Sequence, residues 1–201
     1  HSDLRRQRQM CIRDRGVGAL YVRRQQRIVR IDPQVFGGGQ ERGLRSGTLN
    51  VPGIVGMGRA FELAVESLSV TTSHMDHLRT KLWSLLRGYI PSIQLNGPPI
   101  DSDSRLPNNL NILIPGIDGA TLLAELSRTG VAASSGSACS SEQPRPSHVL
   151  RALGLSDDEI RQSVRFGVSR MNTLEEIEFA AERVELACLL YTSDAADEGH
   201  C

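Results

Sequence analysis

The order of apolar and polar positions along the chain predicts helices that alternate with short strands. Two segments have apolar residues at helical spacing, and their apolar positions are Ile54, Met57, Ala60, Phe61 and Ala64 in the first and Leu78, Leu82, Leu85 and Leu86 in the second. These patterns predict a helix from Pro52 onward and a second, core-facing helix over residues 73–90. Short β-rich runs predict strands at residues 93–97, 108–116, 131–135 and 163–170.

Capping signals mark where further helices begin. Asp118 is placed to cap a helix that Gly130 ends. Two capping-box patterns predict a short helix and the terminal helix over residues 174–187, and they pair Ser156 with Glu159 and Thr173 with Glu176. Strands that alternate with helices indicate an α/β or α+β layer architecture.

The chain before residue 50 is patterned differently. Residues 16–31 contain two β-rich runs, ALYV and RIVRI, separated by a polar turn, which predicts a pair of strands. Residues 37–48, GGGQERGLRSGT, are too rich in glycine for a regular element. Backbone N–H groups there, with Arg42, Arg45 and the Thr48 hydroxyl, suit an anion. The segment is neither a Walker loop nor a dinucleotide fingerprint, and a plain loop is the alternative.

Both ends of the sequence are interpreted as non-native. Residues 1–15 and 188–201 are encoded by one DNA adapter of the transposon-library kind, read on opposite strands. Folding provides no reason for such a match, so we exclude both flanks from fold reasoning. The exclusion leaves Cys139 as the single cysteine of residues 16–187. An intrachain disulfide is then impossible there, which suits a reducing compartment and predicts a cytoplasmic protein.

Charge and hydropathy exclude two classes of partner. The 23 Lys and Arg residues balance the 23 Asp and Glu residues, and no basic stripe is present. This balance argues against nucleic acid as the main partner. No apolar run approaches the roughly 20 residues that a membrane-spanning helix needs, so we expect no membrane association.

Cys139 is the strongest candidate for chemistry. It lies in SSGSACSSEQP, where no bulky apolar residue occurs within four positions on either side. A cysteine packed in a core needs such neighbours, whereas a reactive thiol must be exposed. Small polar residues also permit the segment to move the thiol between two places. An exposed, reactive thiol is the hypothesis, and a packed thiol is the alternative.

Other candidates carry simpler alternatives. Arg165 lies between Val164 and Phe166 in a predicted strand, where it forms either a structural salt bridge or a fork that holds a carboxylate. His74 and His77 lack a third metal ligand, so a solvated helix end is favoured and no metal is expected. His148 follows Cys139 closely, and we interpret it as a surface residue at a helix N-terminus.

Five segments together, in the same order, resemble the cysteine desulfurases of the NifS and IscS type, within the class-V aminotransferase family. They are GVGALYVRR, GGGQERGLRSGTLNVPGIVGMG, SSGSACSS, PSHVLRALGLSDDEIRQSVRF and the terminal TLEEIE. The resemblance implies the α/β fold of fold-type-I pyridoxal-phosphate transferases. Residues 16–60 would end the large cofactor domain, and residues 61–187 would form the small C-terminal α+β domain that carries the cysteine loop.

The resemblance also implies a reaction. Members convert L-cysteine to L-alanine with pyridoxal 5'-phosphate and pass the sulfur, as a persulfide, to an acceptor scaffold protein for iron–sulfur cluster or thio-cofactor assembly. By resemblance Cys139 is the nucleophile that carries the persulfide. Arg165 matches the arginine that holds the substrate carboxylate. Thr48 matches the residue that contacts the cofactor phosphate of the other subunit in a homodimer.

One departure from the family is large. The only lysine of the chain, Lys81, falls within a predicted helix and cannot be the lysine that binds the cofactor. We therefore expect a C-terminal fragment that is inactive alone. Two alternatives stay open, a related enzyme such as a selenocysteine lyase, and a non-enzymatic persulfide carrier or redox sensor. An aminotransferase is disfavoured because it needs no travelling thiol.

Overall fold

A computed structural model describes residues 16–22, 31–135 and 146–197, with side chains up to residue 191. The chain divides into two compact units between Leu68 and Ser69. The domain limits expected from the sequence, 16–60 and 61–187, stay a prediction.

The first unit contains a short 3-10 turn, Gln40–Gly43, and a helix α1, Val51–Glu66. Asn50 caps α1, since its side-chain oxygen accepts from the Gly53 N–H at 3.2 Å. Pro52 lies in the first turn, where its missing N–H removes no helical hydrogen bond. The helix predicted from Pro52 onward is thus confirmed.

The predicted strand at residues 19–22 is wrong. Residues 17–22 have no regular structure, and Tyr21 is 87% exposed. A strand is stable only when its backbone pairs with another strand. Among the described residues, no strand pairs with residues 17–22. The intended partner, RIVRI, lies outside the described residues except for Ile31.

The apolar side of α1 is exposed in this structure. No residue of the helix is buried, and Phe61 is 59% exposed. The periodicity therefore predicted the helix correctly, while none of the residues on its apolar side is buried among the described residues.

The second unit is built on a four-stranded antiparallel sheet with the order β1-β2-β4-β3. Its strands are β1 Gln94–Leu95, β2 Asn109–Leu113, β3 Ser134–Ser135 and β4 Ser163–Gly167. All four lie within the runs that the sequence predicted as strands. β4 is central, because it pairs with β2 on one side and with β3 on the other.

Five helices accompany the sheet: α2 Leu68–Tyr89, α3 Gly119–Arg128, α4 His148–Ala152, α5 Asp157–Arg161 and α6 Leu174–Asp197. The predicted caps are present. Asp118 accepts from the N–H groups of Ala120 and Thr121 at 3.0 Å each, and Gly130 follows α3 with a φ of +89°. Both capping boxes form, with reciprocal bonds between Ser156 and Glu159 and between Thr173 and Glu176.

The hydrophobic core lies on one face of the sheet. The inward residues Leu110, Ile112, Val164 and Phe166 belong to one cluster with apolar side chains of α2, α3 and α6. In α2 these are Leu78, Leu82 and Leu86, which are buried as the spacing predicted, while Leu85 is partly buried. Strand side chains alternate between faces, so the neighbours of these core residues project from the opposite face.

Helix α6 continues beyond the predicted end at residue 187. Cys188 lies four residues after Val184, on the same side of the helix, and is 7% exposed within the core cluster. The helical hydrophobic period thus runs on into the segment that we interpret as adapter, which explains why the helix does not stop.

Candidate functional site

A line of polar side chains crosses the sheet on the face opposite the core. In the strand register Ser134 of β3 pairs with Arg165 of β4, and Arg165 pairs with Asn111 of β2. Asn96 follows β1, and its backbone N–H donates to the Asn111 carbonyl at 3.0 Å. Directly paired residues project from the same face of a sheet, so the four side chains form one row.

The alternation of β4 explains why Arg165 is exposed. Val164 and Phe166 on either side of it enter the core, so Arg165 must point to the other face. In the described part of the chain no carboxylate forms an ion pair with its guanidinium. The salt-bridge alternative for this residue therefore has no partner there.

Arg165 and Asn111 line a cleft of about 240 Å³. The walls come from the loop after β1, from α4, and from the polar face of β2 and β4. Among the described residues no acidic side chain belongs to this lining, whereas Arg105 adds a second positive charge. A cleft with two guanidinium groups and no carboxylate attracts anions.

Two arginines hold the loop that forms one wall. Arg105 donates from Nε to the Pro98 carbonyl at 2.9 Å and from Nη2 to the Asn96 carbonyl at 2.8 Å. Arg79 is 2% exposed and donates to the carbonyls of Leu106 and Ile100 at 2.9 and 2.7 Å. Desolvation by burial, and then the positive charge of Arg79, lower the pKa of Arg105. Carbonyl oxygens occupy the Nε and Nη2 donors of Arg105. Arg165, on the sheet wall, forms no ion pair with the described residues and is the more open guanidinium of the cleft.

Cys139 lies outside the described residues, within 136–145. The described chain leads into that segment at Ser135, directly after the residue that pairs with Arg165. It resumes at Pro146, just before α4, whose residues Val149 and Leu150 line the cleft. The described residues on either side of the cysteine segment, Ser135 and Pro146, are thus next to elements that line the cleft.

Thr48 belongs to the first unit and has an exposed side chain. Its glycine-rich loop satisfies several donors internally: the Ser46 hydroxyl donates to the Gly38 carbonyl at 2.6 Å, and the Gly47 N–H donates to the side chain of Gln40 at 3.1 Å. Those N–H and hydroxyl groups are not available to an anion. The anion hypothesis for this loop then rests on Thr48, Arg42, Arg45 and the backbone N–H groups that are not used within the loop.

The remaining candidates have ordinary surroundings. Lys81 lies in α2, as predicted, and its Nζ is 3.4 Å from Glu178 Oε1 of α6. His74 Nε2 is 3.0 Å from the Asn172 carbonyl oxygen, and His148 is the exposed first residue of α4. Within the described ranges no group of three His, Cys, Asp or Glu side chains is placed to hold a metal ion, and no helix there is long and apolar enough to span a membrane.

The sequence matches the family described as Aminotransferase class-V over residues 14–179. The chain belongs to the class-V aminotransferase family. Within it the chain is similar to proteins named cysteine desulfurase IscS. It is 43% identical over 174 residues to the one from Rickettsia bellii, and the aligned region covers 87% of this chain and 40% of that relative. It is 45% identical over 173 residues to the one from Vibrio cholerae, covering 86% and 41% respectively. The chain thus spans about 40% of the length of these relatives.

Solved structures agree with this family. A structure titled NifS-like protein matches with a TM-score of 0.71 and 39% identity, covering 85% of this chain and 41% of that one. A NifS-like protein from Rickettsia africae matches with a TM-score of 0.68 and 32% identity, covering 79% of this chain and 40% of that one. The expected fold, that of fold-type-I pyridoxal-phosphate enzymes, is confirmed.

The residues of this chain do not fit covalent attachment of pyridoxal phosphate. Attachment requires a lysine amine, and the single lysine of the sequence, Lys81, is the α2 residue that contacts Glu178. The cleft in the second unit has no lysine in its lining. The chain therefore offers groups for a substrate anion but no anchor for the cofactor of its family.

Proposed function

We propose that this chain is the substrate-binding and sulfur-accepting part of a pyridoxal-phosphate-dependent cysteine desulfurase that converts L-cysteine to L-alanine. The observation that carries the proposal is the guanidinium of Arg165. It has no ion-pair partner in the described chain, and the described lining of its cleft contains no acidic side chain. Such a fork binds a carboxylate through two parallel N–H donors. The family match and the relatives named cysteine desulfurase are the reason for proposing L-cysteine as the amino acid that carries this carboxylate.

Cys139 accepts the sulfur in this proposal. It follows Ser134 by five residues, so covalent geometry keeps its Cα within about 18 Å of the strand residue that pairs with Arg165. The thiolate of Cys139 forms a sulfur–sulfur bond with the substrate sulfur as the carbon–sulfur bond breaks. The electron pair of the broken bond stays with the substrate carbon, which takes up a proton to give alanine. Cys139 then carries a persulfide.

Thr48 is proposed to hydrogen-bond the cofactor phosphate of the other subunit in a homodimer of the complete protein. Its hydroxyl is exposed and makes no hydrogen bond with the described residues, which supports a role toward an outside group. The persulfide would pass to an acceptor scaffold protein in the cytoplasm for iron–sulfur cluster or thio-cofactor assembly. The relatives named cysteine desulfurase support the release of sulfur that this transfer requires.

The complete protein, with this chain joined to the remaining length that its relatives possess, tests the assignment. We expect Cys139→Ser to abolish persulfide labelling and alanine production, because no other thiol of residues 16–187 can accept the sulfur. Arg165→Gln should raise KM for L-cysteine at least tenfold, by loss of the charge-assisted pair with the carboxylate. Mass spectrometry locates the persulfide. Full alanine production by Cys139→Ser would refute the sulfur-accepting role.

The chain by itself should release neither alanine nor sulfide from L-cysteine and pyridoxal phosphate, since Lys81 is its only lysine. Multiple turnovers by the purified chain would contradict this expectation. A non-enzymatic persulfide carrier is the second candidate, because a carrier needs no lysine. Labelling of Cys139 by a separate persulfide donor, without cofactor, would favour the carrier. Selenocysteine turnover by the complete protein would test the selenocysteine lyase alternative.

A further inference from the structure

Asn111 shares the polar face of the sheet with Arg165. The two residues are directly paired in the antiparallel register of β2 and β4, and both line the cleft. Directly paired residues have Cβ atoms about 4.5–5.5 Å apart. A carboxylate held by the Arg165 guanidinium therefore lies within reach of the Asn111 side chain.

A chain of buried hydrogen bonds fixes which way the neighbouring amide of Asn96 is turned. The Ser163 hydroxyl donates to the Glu159 carbonyl at 2.7 Å. A hydroxyl has one hydrogen, so Ser163 Oγ can only accept from the Asn96 side chain, which lies 3.0 Å away. The atom of Asn96 at that position must be the nitrogen, Nδ2.

The number of hydrogens on each donor also fixes the orientation of the Asn111 amide group. Asn96 Nδ2 has a second hydrogen, and it lies 2.7 Å from the Asn111 side chain. A donor must meet an acceptor, so Asn111 turns Oδ1 toward Asn96. Asn111 Nδ2 keeps both of its hydrogens, and no described residue accepts them. The network thus leaves a pair of N–H donors on the cleft residue beside Arg165.

We propose that Asn111 is a second substrate-binding residue, whose Nδ2 donates to the carboxylate that Arg165 holds. An ionised carboxylate accepts about four hydrogen bonds, and Arg165 in bidentate contact uses two of them. Asn96 and Ser163 act as positioning residues that keep the donor side of Asn111 toward the ligand. This inference rests on the proposed function, because the carboxylate is that of the proposed substrate.

Ligand-detected NMR of the full 201-residue chain measures the binding directly and needs no cofactor. L-cysteine and cysteamine form a matched pair that differs in the carboxylate. We expect L-cysteine to bind the unaltered chain at least tenfold more tightly than cysteamine. Asn111→Ala should raise the Kd for L-cysteine about tenfold, the value of one hydrogen bond to a charged group. Asn108→Ala changes an exposed asparagine that directly precedes β2 and is not part of the cleft lining, and it should leave Kd unchanged.

Asn111→Asp separates binding from folding. Asp keeps an oxygen that accepts from Asn96 and replaces the donor by a carboxylate oxygen, so the chain should fold and lose L-cysteine binding; its thermal unfolding checks the fold. If Arg165→Gln abolishes binding while Asn111→Ala and Asn111→Asp bind as the unaltered chain does, the role of Asn111 is overturned and the carboxylate clamp stands. If Arg165→Gln changes nothing, or if L-cysteine and cysteamine bind alike, the clamp itself fails and the role of Asn111 with it.

Discussion

The thiol of Cys188 shows how strongly burial changes a single residue. Cys188 is a residue of α6 that belongs to the core cluster. Burial, and then the negative charge of Glu185, raise the pKa of this thiol to about 11. A thiol reacts as its thiolate, so this cysteine is poorly reactive near neutral pH. The exposed, reactive thiol that we propose for Cys139 would need the opposite surroundings.

The raised pKa of Cys188 predicts alkaline destabilisation. The ordinary value is 9.0, so between about pH 9 and pH 11 the unfolded chain releases a proton that the folded chain keeps. The contribution of the thiol to the free energy of unfolding is full below pH 9 and is lost as the pH rises to about 11. We expect a loss of about 2 kcal/mol in urea unfolding. Cys188→Ala should remove this part of the pH dependence, and identical pH profiles for both proteins would refute the prediction.

Sequence patterns identified single residues well where the signal was local. Asp118, Ser156 and Thr173 are caps because the cap and its partners lie within a few residues of each other. Asn111 was missed, because its importance comes from a register partner more than fifty positions away and from a buried network through Asn96. No spacing rule in the sequence reports that pairing.

At the scale of elements, three backbone segments meet closely at the start of α3. A Cβ added to Gly119 would lie 2.7 Å from the Arg161 carbonyl oxygen and 3.2 Å from that of Ser163. Both neighbours are backbone atoms, so neither can rotate away. The glycine after the Asp118 cap thus lets α3 begin directly against the end of α5 and the start of β4.

Gly119→Ala should lower the free energy of unfolding by about 1–3 kcal/mol, because the methyl group has to displace backbone. Gly88→Ala is the matched control. Gly88 also lies in a helix, α2, but nothing lies within 4 Å of its added Cβ, and the exchange should stabilise the chain by about 0.5 kcal/mol. Urea unfolding measures both changes. Equal effects of the two exchanges would contradict the packing argument.

Helices and strands were predictable from the sequence where their apolar side chains are buried in the core of the second unit. The strands at 108–116 and 163–170 and the helix at 73–90 were found because their apolar periods match a real core. The run ALYV was predicted as a strand on the same grounds and is not one, since a strand depends on a pairing partner as much as on its own residues. The helix end at 187 was wrong because the apolar period continues through Cys188.

At the scale of the whole molecule, the two units differ in how much apolar surface they bury. The core cluster belongs to the second unit. Among the described residues of the first unit no apolar side chain is buried, and Phe36 and Phe61 are 82% and 59% exposed. These exposed aromatic side chains lie on a loop and on helix α1, where they leave apolar surface open to contact with other molecules.

We therefore expect the purified chain to self-associate at micromolar concentration, because large exposed apolar surfaces drive aggregation. Sedimentation velocity should show the associated fraction fall in the double variant Phe36→Ser, Phe61→Ser. Met171→Ser removes an apolar side chain of similar exposure, 77%, from the second unit and should leave association unchanged. A monodisperse monomer that melts cooperatively would overturn the expectation.

The central position of β4 makes its length as important as its composition. Arg165 faces the cleft, while Val164 and Phe166 face the core. Deleting or inserting one residue before Arg165 would exchange the two faces of the strand. The guanidinium would then lie among the leucines of the core, and the phenyl ring would lie in the anion cleft. Point substitutions can separate folding from ligand capture in this protein, but a one-codon insertion or deletion in β4 would abolish both together.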